Sequence, residues 1–188
     1  MKTPEVLKGR AIGALICGGF GGLWLLYALK LGGVTAPGWL VAMWIAMALF
    51  VLFPVARLIS LHRTFFAWPR IPTAYWMIVG ACYLTLNLGI NWLDSIGRSD
   101  LRLQFIGVVV GLHFLPLARL FRARIYYWTG AAMILGVTAA LGIPAGSVRN
   151  LVACGSGAVS LWLTAAIILC QDRLSTRLNH HAPVAAKS

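Results

Sequence analysis

The chain has 188 residues, 60% of them hydrophobic and 11% charged, with a mean hydropathy of +0.84 and a net charge of +12. An ordinary soluble domain carries roughly 25% charged residues, so one soluble core cannot hide this much apolar surface and a bilayer must be the solvent. The basic excess makes no nucleic-acid face, because its Lys and Arg residues sit between apolar runs instead of clustering on one folded surface.

The expected fold is all-α: a single polytopic integral membrane domain over 1–188, with six transmembrane helices arranged as three tandem helical hairpins. The start, residues 1–10, is amphiphilic, with no small-residue cleavage site after a short apolar core, so the long apolar run 11–29 reads as a retained first helix. Further helices are expected over 39–56, 75–92, 101–120, 125–143 and 151–170. Each approaches the roughly 20 residues that cross about 30 Å of hydrocarbon. Residues 171–188 read as a polar cytoplasmic tail that frays.

Orientation follows from the basic residues on alternate sides. Lys2, Lys8, Arg10, Arg57, Arg63, Arg70, Arg119, Arg122, Arg124, Arg173, Arg177 and Lys187 fall on one side, and Lys30, Arg98, Arg102 and Arg149 on the other. Basic loops resist translocation and attract anionic lipid head groups, so the richer side is cytoplasmic. The expected location is the bacterial inner membrane, with both termini in the cytoplasm, and the partners are the bilayer and its anionic head groups.

A repeat runs through the chain. Phe53-Pro54-Val55-Ala56-Arg57-Leu58 recurs as Leu115-Pro116-Leu117-Ala118-Arg119-Leu120, with a degenerate third copy at Leu169-Cys170-Gln171-Asp172-Arg173-Leu174. All three end even-numbered helices, which is the basis for expecting hairpins. Features shared by copies read as scaffold. Pro54 and Pro116 remove an N–H and free a carbonyl four residues earlier, and Arg57 and Arg119 anchor helix ends at head-group phosphates.

Features confined to one copy are the site candidates. His113 has Val51 and Ile167 as its equivalents and lies about 18 Å below the outer end of the fourth helix, where a protonated imidazole is costly. Either its ring bonds a carbonyl such as the one Pro116 frees, or it is a ligand or proton contact in a wet cavity. Asn87, Asn91 and Asp94 share one face of the third helix at i, i+4 and i+7. With Arg98, Asp100, Arg102 and Gln104 they form either a polar funnel between helices three and four or an interhelical clasp of roughly 1 kcal/mol per bond.

Gly18 with Gly22, and Gly107 with Gly111, are GxxxG pairs suited to close helix packing or to homo-oligomerisation. Trp68, Tyr75, Trp76, Tyr126, Tyr127 and Trp128 read as interfacial anchors. Cys17, Cys82, Cys154 and Cys170 have no paired spacing, so free buried thiols are expected. The acidic residues are only Glu5, Asp94, Asp100 and Asp172, near termini or interfaces, and one histidine makes no metal cluster. Neither enzyme activity nor a metal or other cofactor is expected.

The run Gly111-Leu112-His113-Phe114-Leu115-Pro116, with Tyr126-Tyr127 after it and Phe53-Pro54 before it, resembles an uncharacterised family of small bacterial six-helix membrane proteins with a Gly-x-His-Phe-x-Pro signature. Some relatives there carry aromatic residues where this chain has Leu117-Ala118-Arg119. At the level of architecture, three two-helix repeats also look like the acid-resistance membrane proteins of enteric bacteria. The resemblance implies no substrate. Two functions stay open: a small transporter, channel or ligand-binding protein using His113, approached along Asn87, Asn91 and Asp94, or a non-transporting scaffold or stress-response protein.

Overall fold

The computed structural model describes residues 4–31, 37–64 and 72–180, with side chains at 11–30, 41, 44–56, 59 and 72–171. It is all-helical: α1 (Pro4–Leu31), α2 (Pro37–Thr64), α3 (Thr73–Ser95), α4 (Arg102–Leu120), α5 (Ile125–Ala139) and α6 (Ser147–His180), with 3₁₀ turns at Ser99–Leu101 and Ala140–Gly142. No strand occurs among the described residues. Five helices are long and apolar enough to cross a membrane; in α2 the described apolar stretch, Trp44–Ala56, is shorter.

The helix ends follow local chemistry. α1 and α2 begin on Pro4 and Pro37, where a missing N–H costs nothing. α3 closes in a Schellman turn: Arg98 N–H donates to Leu93 O at 2.8 Å and Gly97 N–H to Asp94 O at 3.1 Å, with Gly97 at φ +72°. α4 closes the same way, Ala123 N–H donating to Ala118 O at 3.0 Å, but with Arg122 at φ +50° in the position glycine prefers. α6 stays helical to His180 and so does not end at 170 as expected. Its polar extension from Gln171 to Asn179 holds no Pro or Gly to stop it.

Neighbouring helices run antiparallel, and glycines set their approach. Gly18 and Gly22 of α1 receive Phe50 and Met47 of α2, and Gly107 and Gly111 of α4 receive Val137 and Ile134 of α5. Gly136 of α5 meets Ser156 of α6, and Gly21 and Gly157 bring α1 and α6 together around Trp162 and Trp24. The widest contact is therefore between the first and last helices, which sequence-adjacent pairing does not foresee. The core lies where α1, α4, α5 and α6 meet, around Ala14, Cys17, Phe114, Met133, Leu161 and Ala165. α3 stands at one edge, its packing directed at α4, with Leu93 its one buried residue.

Burial departs from the sequence expectation at Tyr126 and at two of the cysteines, Cys82 and Cys170. Tyr126 is no interfacial anchor: it is buried, stacked on Phe114 at a centroid distance of 5.9 Å, with Gly13 of α1 making room for its hydroxyl. Its position on the inner side of α5 decides this, since Tyr127 and Trp128, one and two residues on, are exposed. All four cysteines are free, with Cys17 and Cys154 buried, Cys82 half-buried and Cys170 exposed. The side chains of Arg57, Trp68 and the basic residues at 2, 8, 10, 63, 70, 173, 177 and 187 lie outside the described ones.

Candidate functional site

His113 is half-buried on α4, about 140° around the helix from the Gly107/Gly111 face at 100° per residue. Its Nδ1 bonds the carbonyl oxygen of Val110, three residues back on its own helix. A carbonyl only accepts, so Nδ1 carries a proton and donates it. The partner is thus Val110, not Leu112, whose carbonyl Pro116 leaves without its helical donor. The imidazole tilts against Phe114, the centroids 4.5 Å apart.

The polar stripe of α3 goes elsewhere. Gly89 is the point where Phe105 of α4 presses on α3: a Cβ there would lie 2.0 Å from the Phe105 ring. Asn87, Asn91 and Asp94 are roughly 140–160° around α3 from Gly89, and all three are exposed. The amide of Asn87 donates to Tyr83 O at 2.8 Å within its own helix. Asn91 has no hydrogen-bond partner among the described residues. The funnel expected between helices three and four is therefore not formed by the asparagines. The face that carries glycine is the one that accepts a phenylalanine ring, and the amides are turned away with the opposite face.

The charged members do meet, at the end of the bundle where α3 joins α4 and α5 joins α6. Arg102 Nε donates to Asp94 Oδ1 at 2.5 Å, closing the end of α3 onto the start of α4. Asp100 takes Arg98 at 3.4 Å and Arg149 at 3.0 Å. Arg149, in the first turn of α6, also donates to the Asp100 backbone carbonyl at 2.9 Å and is 7% exposed. Its pairing with Asp100, 49 residues away, leaves no spacing pattern in the sequence. The available signal was a lone arginine at the head of an apolar helix on the same side as two of the chain's four acids.

Gln104 is 4% exposed, and neither its Nε2 nor its Oε1 has a partner among the described residues; Arg149 Nε likewise has none there. Deeper in the bundle, Thr129 of α5 and Thr164 of α6 join at 2.6 Å, each also reaching a carbonyl on its own helix, Ile125 O and Ser160 O. Three contacts share two hydroxyl hydrogens, so the pair is a local clasp and not the start of a chain.

At the opposite end, Ile78, Leu115, Pro116, Arg119, Leu120 and Tyr127 line an open groove of about 610 Å³ between α3, α4 and α5. His113 and the asparagines take no part in its lining. The repeated prolines therefore differ in setting, since Pro54 is fully buried while Pro116 faces the groove. No group of three His, Cys, Asp or Glu side chains that could hold a metal ion occurs among the described residues. No family model, curated protein or solved structure matches the chain.

Proposed function

We propose that the chain is a bacterial inner-membrane protein of six spans in three hairpins, both termini cytoplasmic, that acts as a non-transporting docking unit. It pairs with a second copy of itself through the outward face of α3. The 28-residue α2 supplies the sixth span, and the twelve-to-four division of basic residues supports the orientation.

The observation that carries the reading is the direction of Asn87 and Asn91, which α3 turns away from α4, the helix it packs on most closely among the described residues. In hydrocarbon an amide seeks a partner, and asparagine both donates and accepts, so two identical stripes satisfy each other across a two-fold axis. Gly80 lies about 20° from Asn87 around the helix, and a Cβ there would meet nothing within 4 Å. A neighbouring backbone therefore has room to approach. The glycines first considered for oligomerisation, Gly18, Gly22, Gly107 and Gly111, are filled by the chain's own side chains.

The test is co-purification of two differently tagged copies from reconstituted bilayers. Asn87→Leu with Asn91→Leu should weaken association by about tenfold, ~1.4 kcal/mol, a size reached by two or three membrane hydrogen bonds. Undiminished pairing in the double variant removes the docking face. One observation favours a second reading, in which His113 contacts a proton or ligand: its Nε2 has no partner among the described residues. That reading requires water at His113, and the separation of the histidine from the asparagine stripe counts against a continuous path.

A further inference from the structure

We propose that the groove between α3, α4 and α5 binds one anionic phospholipid, its phosphate on Arg119 and an acyl chain along Ile78, Leu115, Pro116 and Leu120. The inference rests on the chain lying in a bilayer and is independent of docking through α3, whose asparagines are on the far side of that helix.

Shape gives the first argument. The groove, at about 610 Å³, falls within the roughly 300–1,000 Å³ of ligand clefts, and four of its six lining residues are apolar. It opens on the outside of the bundle, where an acyl chain is the surrounding medium. Its polar groups, the Arg119 guanidinium and the Tyr127 phenol, come from the ends of α4 and α5 that a four-residue turn joins. An amphipathic ligand with a charged head at this end and an apolar body along the helices matches both features.

Charge gives the second. Arg119 is exposed and makes no ion pair among the described residues, and Arg122 and Arg124 follow it in the turn. The two acids whose side chains are described, Asp94 and Asp100, are at the other end of the bundle, already paired to Arg102 and to Arg98 and Arg149. The Arg119 guanidinium in the apolar groove, with Arg122 and Arg124 in the adjoining turn, favours a net-anionic head over a zwitterionic one. The repeat sharpens the point: the same Pro-x-x-Arg spacing occurs on α2, where Pro54 is fully buried, whereas Pro116 lines the groove.

The experiment is native mass spectrometry of the detergent-purified protein titrated with phosphatidylglycerol or phosphatidylcholine, with circular dichroism and gel filtration to verify folding. One phosphatidylglycerol should bind in preference to phosphatidylcholine. Arg119→Gln should weaken it at least about fivefold, and Arg124→Gln, outside the lining, should weaken it less. Leu115→Trp should exclude the lipid while leaving every charge in place; Ile78→Trp blocks the groove from the α3 wall if the first variant does not fold. Equal binding of the two lipids, unchanged binding in Arg119→Gln, equal losses in Arg119→Gln and Arg124→Gln, or retention of lipid in the filled groove would each overturn the proposal. Displacement by inorganic phosphate alone would also overturn it, since the site would then read a free anion.

Discussion

Gly111 of α4 and Gly130 of α5 meet backbone to backbone: a Cβ on Gly130 would lie 2.6 Å from the Gly111 carbonyl oxygen, and one on Gly111 would lie 3.0 Å from the Gly130 oxygen. A backbone carbonyl cannot rotate aside as a side chain does, so a methyl group here must push the two helices apart. Gly130→Ala is expected to cost ~1–3 kcal/mol, read as a lower thermal midpoint in detergent. Gly19 is the control, because a Cβ there meets nothing within 4 Å. Gly19→Ala should leave the midpoint unchanged or raise it, alanine being the better helix former. Equal effects from the two substitutions would mean that the α4–α5 crossing is looser than described.

Arg122 holds the left-handed position of the turn after α4, φ +50°, where its counterpart after α3 is Gly97 at +72°. A side chain there crowds the backbone, so Arg122→Gly should stabilise the protein by about 1 kcal/mol, raising the midpoint by roughly 2–4 °C. Arg122→Ala removes the same charge without relieving the backbone and should give no such gain. A rise in both variants would assign the effect to charge repulsion among Arg119, Arg122 and Arg124 instead.

Burial of Gln104 with both amide atoms unpartnered leads to an unusual expectation for a core polar residue. Gln104→Leu, which keeps the bulk and deletes the unsatisfied groups, should be neutral or stabilising by up to ~2 kcal/mol. Chemical denaturation of the pair in one detergent decides it. A clear loss of stability would show that the amide is satisfied by a bound water or ligand.

The hydropathy of the chain made all six helices legible, and the GxxxG pairs marked positions where helices approach, because length and small side chains are local properties. The direction of a face is not local. Spacing shows that Asn87, Asn91 and Asp94 share a side of α3, yet which side meets α4 is decided by the fit of Phe105 against Gly89. The same gap hid the salt bridge of Arg149 with Asp100, 49 residues apart, and the contact of α1 with α6. It also hid the groove at Arg119, since a repeat with Pro54 buried and Pro116 exposed is uniform in sequence and unequal in packing.

The central claim, that the protein is non-transporting, requires that no water path reaches His113. It is tested by His113→Cys in a background lacking Cys17, Cys82, Cys154 and Cys170, with a membrane-impermeant thiol reagent applied from each side in turn. Ser95→Cys, exposed at the end of α3, reports that the reagent works. The account predicts labelling at 95 and none at 113 from either side of the folded protein. Labelling at 113 would put water at mid-membrane, contradict a non-transporting role and support a transport or ligand-binding role for the histidine.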